Sequence, residues 1–165
     1  MVTLREWRES DIPAIVEACQ DPEVARWTNV PSPYTEEHAR EFVAHGIPGR
    51  QDDLHFAVVD ADSDALLGSI GIWTVQEGVG EIGYWVAAPA RRRGVAVRSV
   101  RLLVAWAFEA RGYARIQLHT LPGNEPSARV AERAGFKREG LLRSFAMMKG
   151  GRTDIVMFSL LPGEL

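Results

Sequence analysis

With one cysteine, Cys19, among 165 residues, the chain can close no internal disulfide and offers no thiolate zinc site. It also lacks an apolar run long enough to span a bilayer, and its mean hydropathy is -0.12. The first residues, Met1-Val2-Thr3-Leu4-Arg5-Glu6, carry charge where a secretory signal needs its apolar stretch, so a soluble, cytoplasmic protein without a membrane partner is expected. No H-E-x-x-H is present, and His38, His45, His55 and His119 do not fall at ligand spacing, so no metal is expected. A P-loop is missing as well. Gly78-Val79-Gly80-Glu81-Ile82-Gly83 fits G-x-G-x-x-G, but it runs into the β-prone Tyr84-Trp85-Val86 where a dinucleotide site needs a helix, and it reads as a hairpin turn. Cys19 lies among apolar neighbours on an early helix and reads as core, not as a nucleophile. With no internal repeat and no low-complexity linker, residues 1–165 are expected to form one domain.

What the chain does have is the composition of a globular protein, 46% hydrophobic and 25% charged. A chain of this length buries roughly 70% of its unfolded surface and needs no staple. Its net charge of -3 hides a division. Residues 1–60 carry twelve acidic and five basic side chains, whereas residues 61–165 carry ten and fourteen. Within 91–101 stand Arg91, Arg92, Arg93, Arg98 and Arg101, with no acid. Such a cluster is either a solvated face or an anion site, since guanidinium forks match phosphate oxygens. Nucleic acid is not an expected partner: the pI is about 5.8 and the acidic first third would repel a polyanion.

Along the chain, Val2–Arg8 reads as a strand, and Ser10 or Asp11 caps a helix to Cys19. A short helical piece runs from Asp21-Pro22 to Trp27, a Pro-bounded loop follows, and Thr35 caps a helix stopped by Gly46 and Pro48. Leu54–Val59, Leu66–Thr74 and Glu81–Val86 read as strands. Val97, Val100, Leu103, Val104, Ala107 and Phe108 keep helical spacing between Gly94 and Arg111. Arg98, Arg101, Ala105 and Glu109 take the wetter face of that helix. Arg115–Thr120 reads as a buried strand, Glu125–Ala134 as a helix, and Phe136–Leu142 with Thr153–Leu160 as a last strand pair. Consecutive strands favour antiparallel pairing and the central helix favours a parallel crossover, so an α/β fold with a mixed sheet is expected.

Two segments carry the chemistry. Pro89-Ala90-Arg91-Arg92-Arg93-Gly94-Val95-Ala96-Val97 joins a strand to the long helix, with small residues that admit a ligand close to the backbone. A helix N-terminus carries roughly half a positive charge and binds anions such as pyrophosphate. Asn124-Glu125-Pro126-Ser127, followed by Ala134-Gly135-Phe136, sits at the start of the next helix, on the same sheet edge. Together these segments resemble the GNAT superfamily of N-acetyltransferases, in its ribosomal-protein N-acetyltransferase-like branch, over essentially the whole chain. The family's R-x-x-G-x-[GA] falls on Arg91, Gly94 and Ala96. Leu67-Gly68-Ser69-Ile70-Gly71 and Glu81-Ile82-Gly83-Tyr84-Trp85-Val86 look like its third and fourth strands, and Gly151-Arg152-Thr153-Asp154 like its last turn.

The resemblance implies a mostly antiparallel sheet of about seven strands, flanked by helices and splayed between strands four and five to hold acetyl-CoA. The pantetheine arm would pair with the backbone of Trp85, Val86 and Ala87, the pyrophosphate would sit on the amides of Arg91, Arg92, Arg93, Gly94, Val95 and Ala96, and Asn124 would bond the pantetheine from the other wall. Two departures stand out. Arg92 occupies a position where many members have glycine, and Ala131 one where many have a tyrosine proton donor. The branch offers Ser127 as the acid, against a plain capping role. Glu81 is the expected base, against a surface carboxylate of a hairpin. A backbone N–H at the distorted end of strand four, near Trp85 to Ala87, would meet the carbonyl oxygen. Trp27 and Asn29 are expected on the acceptor side, against a buried tryptophan that anchors its loop. Freeing a lysine of pKa about 10.4 at pH 7 costs roughly 4.6 kcal/mol and an α-amine near 7.8 only about 1, so an N-terminal α-amine is the favoured acceptor. Transfer to a polyamine or aminoglycoside, use of succinyl-CoA, a non-catalytic acyl-CoA sensor and pairing into a homodimer stay open.

Overall fold

The computed structural model describes residues 1–47 and 49–165, with Gln51 described by its backbone; the expected helix stop at Pro48 lies outside these residues. Seven strands form one sheet in the order β1-β2-β3-β4-β5-β7-β6: β1 Val2–Arg5, β2 Gln51–Asp60, β3 Leu66–Gln76, β4 Val79–Val86, β5 Arg115–Thr120, β6 Lys137–Met148 and β7 Gly151–Leu160. Neighbours pair antiparallel except β4 and β5, which the helix α4, Val95–Arg111, joins as a parallel crossover. Two faces follow from the strand alternation. Ile70, Ile72, Ile82, Ile116, Leu118 and Phe158 pack against α4 and against α5, Glu125–Ala134. On the other face, α1 Ile12–Cys19, α2 Pro22–Trp27 and α3 Glu36–His45 build a second cluster on Ile15, Cys19, Val24 and Ala39, with Trp7 and Trp85 against it. Ile15, Ile70, Ile116 and Phe158 are fully enclosed, and each such side chain contributes about 1.5–3 kcal/mol. Cys19 belongs to this core, where burial pushes its thiol up to about 12.

β1 ends at Arg5, three residues before the sequence suggests. There the Arg8 N–H donates to the Asp11 carboxylate at 2.9 Å, and Glu9–Asp11 turns as a 3-10 helix instead of continuing the ladder. Arg5 holds both Asp11 oxygens, at 2.8 and 2.9 Å, and donates through Nε to Asp64 at 2.7 Å. One planar guanidinium thus ties the first strand to the first helix and to the β2–β3 turn.

The last hairpin is longer than expected. β6 and β7 run on to a turn at Lys149-Gly150, both at positive φ, so Gly151 to Asp154 opens β7 and is not the turn itself. β6 breaks register between Leu142 and Ala146, where Ser144 is left-handed and its N–H donates to Asp154 Oδ1 at 2.7 Å. That bulge interrupts the period-2 pattern from which the strand would be read.

The splay follows from competing partners. β4 pairs with β5 only at Val79↔Arg115, Gly80↔Ile116 and Glu81↔Gln117. Beyond that, β4 follows β3 as far as Gly68↔Val86, while β5 follows β7 as far as Thr120↔Val156. A V-shaped cleft opens between them. At its outer end only glycine fits position 68, because a Cβ there would lie 2.3 Å from the Trp85 carbonyl oxygen.

Candidate active site

The cleft edge of β4 is a free hydrogen-bonding surface. The Ala87 N–H donates to Leu67 at 2.9 Å, and in an antiparallel ladder alternate residues face the partner strand. Ile82, Tyr84 and Val86 therefore turn their backbone groups away from β3, toward the side where β5 has departed. Of Trp85, Val86 and Ala87, Val86 alone faces the cleft through its backbone, and its carbonyl accepts from Arg91 Nε at 3.0 Å. Pairing between β3 and β4 stays in register through Val86, so the expected distortion of the strand end is not there; the irregularity lies instead between Thr74 and Gln76.

At the mouth, the chain turns through Ala88–Ala90 and reaches α4 over Arg91 to Gly94. Arg92 (φ 60°) and Gly94 (φ 72°) are both left-handed. For arginine this costs about 1–3 kcal/mol, and such alternation turns successive N–H groups into one concavity. The amides of Arg92 through Ala96 meet no backbone carbonyl, and no side chain caps α4. Arg91 plays another part. Its amide donates to Ala88, and its guanidinium reaches Val86 and, at 2.6 Å, Asp21, the cap of α2. Arg98, on the exposed face of α4 as expected, folds back to donate to the Arg93 carbonyl at 2.6 Å and lies over Gly94. Arg101 is exposed on that face too and donates to the Arg133 carbonyl at 2.9 Å. Arg92 and Arg93 stay exposed.

Ser127 and Glu81 flank the cleft from opposite faces of the sheet. On the α4–α5 face, Ser127 Oγ lies 2.8 Å from the hydroxyl of Tyr84. The cap of α5 is Asn124, whose Oδ1 accepts the Ser127 N–H at 3.3 Å, so the Ser127 hydroxyl is not the cap. Burial pushes the Tyr84 phenol up to about 12, and it keeps its proton at neutral pH. On the α1–α3 face, Glu81 is 7% exposed, which rules out the surface carboxylate. Gln117 Nε2 donates to Glu81 Oε2 at 2.8 Å, and His119 Nδ1 lies 3.5 Å from Oε1. Burial alone would raise this carboxyl, but His119, Gln117 and the nearby Arg50 charge together hold it below the ordinary range. Arg50 itself stacks on Trp73, 3.3 Å from the ring centroid.

The two expected acceptor-side residues are held by the protein. Trp27 is half-buried, donates its indole N–H to Glu23 at 2.9 Å and lies under Arg26. Asn29 clamps the β6–β7 turn, accepting from the Lys149 N–H at 3.1 Å and donating to the Met147 carbonyl at 3.2 Å. Sequence reasoning missed Tyr84, Arg98, Gln117 and His119. Strand alternation was the available signal for Tyr84, since it sets that ring on the face opposite Glu81. Among the described residues no three histidine, cysteine or acidic side chains group to hold a metal, and no helix is long and apolar enough to cross a membrane.

A mixed sheet parted beside a loop of unpartnered amides and arginines, with a hydroxyl pair on one side and a carboxylate on the other, suits a group-transfer enzyme. Residues 1–137 match the family described as acetyltransferase (GNAT) domain, and the chain belongs to that family, whose members use acetyl-CoA. It is 29% identical to the uncharacterized N-acetyltransferase p20 of Bacillus licheniformis, over 99% of this chain and 94% of that one. Its fold matches the spermidine N-acetyltransferase of Vibrio cholerae, solved with CoA and spermine, at a TM-score of 0.80, with 20% identity over 99% of this chain and 96% of that one. The ribosomal-protein-S5-alanine acetyltransferase of Vibrio fischeri matches at 0.77, with 23% identity over 99% and 94%. The chain is an N-acetyltransferase, and it transfers acetyl to an amine.

Proposed function

We propose that the acceptor is the N-terminal α-amine of a protein or peptide and that transfer is direct, within a ternary complex. The observation that carries the cofactor half is the β4 edge at Tyr84 and Val86, beside which no strand lies and which leads from the left-handed loop at 92–96 down to the apex beside Glu81. These residues fit acetyl-CoA: the loop amides with Arg92 and Arg93 would take the phosphates, and the β4 edge, with Asn124 opposite, would take the pantetheine. Bound there, acetyl-CoA supplies an acyl group on a thiol leaving group. The β4 N–H groups then stand where a carbonyl oxygen gains charge, and one such donor is worth about 3–4 kcal/mol. Ser127 provides the proton for the departing sulfur. The Tyr84 hydroxyl keeps its proton and lies 2.8 Å from Ser127 Oγ; with Tyr84 as the donor of that bond, the serine proton is free for the cleft. Glu81 is the carboxylate on the acceptor face.

Charge on that face supports an acceptor with a single amine. Glu81 has Gln117 and His119 against its two oxygens and the Arg50 charge close by, which leaves neither oxygen open to a second ammonium. An α-amine also needs the least help to become neutral, about 1 kcal/mol at pH 7. A panel of N-terminal peptides, lysine peptides, spermidine and an aminoglycoside, offered with acetyl-CoA and with succinyl-CoA and read by product mass, tests this. Acetylated N-termini, with kcat/KM at least about tenfold above the others, are expected; a tenfold preference is about 1.4 kcal/mol. Preferred acylation of spermidine would overturn the acceptor assignment.

A further inference from the structure

We propose that His119, and not Glu81, takes the proton from the attacking amine, through Nε2, and that Glu81 is a positioning residue. This rests on the acyl-transfer reading above. Glu81 is badly placed to touch a substrate: it is enclosed, and each of its oxygens faces a neighbour, Gln117 Nε2 at 2.8 Å and His119 Nδ1 at 3.5 Å. His119 is open where Glu81 is closed, with 31% of its side chain exposed against 10%. Its Nδ1 is shut off from solvent and meets no hydrogen-bond partner, and Glu81 Oε1 is the charge that faces it. Nε2 accepts and donates nothing among the described residues, and it is absent from the buried unpartnered atoms, so it reaches open space. A carboxylate facing Nδ1 favours the tautomer with the proton on Nδ1, which leaves the Nε2 lone pair free.

Position supports the same role. Glu81↔Gln117 is the last parallel pair, so His119, two residues further along β5, stands where the strands have begun to part; at the same level of β4 the Trp73 ring covers Gly83. An acyl group at the apex would have Ser127 on one face of the sheet and His119 on the other, with the amine approaching from the α1–α3 face. The balance is simple. The neutral amine forms the N–C bond, the C–S bond breaks, the amine proton goes to Nε2, and the sulfur takes its proton from Ser127. Afterwards His119 releases its proton to water and Ser127 regains one, leaving amide and free thiol.

The charged groups around the ring are Glu81 on β4, Arg50 stacked over Trp73, and, further along β5, the Arg115–Glu139 pair; Met157 of β7 lies opposite and is neutral. Nitrogen-15 NMR of the imidazoles in the free enzyme reads the tautomer directly: the Nδ1–H form is expected for His119, with that preference lost in Glu81→Ala. In turnover, log kcat/KM should fall on the acid side through a limb that belongs to His119 and not to Glu81. His119→Gln and His119→Asn should lower kcat by about 10²–10⁴ and abolish that limb while acetyl-CoA binding is retained. Glu81→Gln should lower turnover less and keep the limb. An Nε2–H tautomer, or normal turnover in the folded His119 variants, overturns the proposal. Absence of acylation by the parent enzyme with every amine would instead count against the acceptor reading, and the tautomer would still decide the role of His119.

Discussion

Ser127→Ala is expected to lower kcat by about 10²–10⁴, the usual scale for a positioned acid, and to leave acetyl-CoA affinity nearly unchanged. The hydroxyl is aimed across the cleft at Tyr84 and takes no part in capping α5, because Asn124 does that. Removing it keeps the cap but takes the Tyr84 hydroxyl's partner, a loss of about 1 kcal/mol, and Asn124→Ala should cost about as much through the lost cap. Tyr84→Phe should fall between: it deletes one hydrogen bond that orients the serine, worth about 1 kcal/mol or roughly fivefold in rate. Single-turnover rates measured beside melting curves separate these effects. Normal turnover in Ser127→Ala with a lowered melting point would end its assignment as the acid.

Arg5→Ala is expected to destabilise the fold by about 3–5 kcal/mol, since it strands a carboxylate that the fold encloses. Asp11 is 7% exposed and receives two of its three hydrogen bonds from that one guanidinium. The Arg5 side chain holds the Asp11 carboxyl below its ordinary range, with the Arg8 N–H adding to the effect against the penalty of burial. A depressed folded pKa contributes stability that is complete above the unfolded value, near 3.9, and that is lost as pH falls through the lower folded value. The gap between Arg5→Ala and the parent should thus be widest at neutral pH and narrow below about pH 4. Denaturant unfolding at pH 7 and pH 3 checks both; a difference under about 1 kcal/mol at pH 7 would mean that Asp11 finds other partners.

The sequence made the scaffold legible where one local pattern decided an element. The helical spacing from Val97 to Phe108 and the β-prone stretch Leu66–Thr74 both became what they suggest. Boundaries were lost where a side chain competes with the ladder, as Asp11 does at Arg8 and Asp154 at Ser144. The turn into α4 was legible because glycine, alanine and arginine at 91–96 are a local signal. The left-handed Arg92 and the diversion of Arg91 to Asp21 depend on packing that no local pattern encodes. The chemistry was the least legible. Tyr84 and Ser127 lie 43 residues apart on a strand and a helix, and Glu81 and His119 meet only because β4 and β5 run parallel for three residues before parting.

The central claim, that the parted strands and the loop at 92–96 form an acetyl-CoA site, is tested most directly by ligand-dependent melting of the parent chain and of Gly94→Val. At about 100 times its dissociation constant, acetyl-CoA should add roughly 2.7 kcal/mol, a rise of roughly 5–10 °C for a chain of this size, while ATP and NAD at equal concentration should add little. Gly94 sits at φ 72°, and a Cβ there would come within 3.0 Å of the Arg98 guanidinium. Gly94→Val should therefore abolish the acetyl-CoA shift, and Arg101→Ala, away from the loop, should keep it. Equal shifts with ATP, or an undiminished acetyl-CoA shift in Gly94→Val, would contradict the assignment.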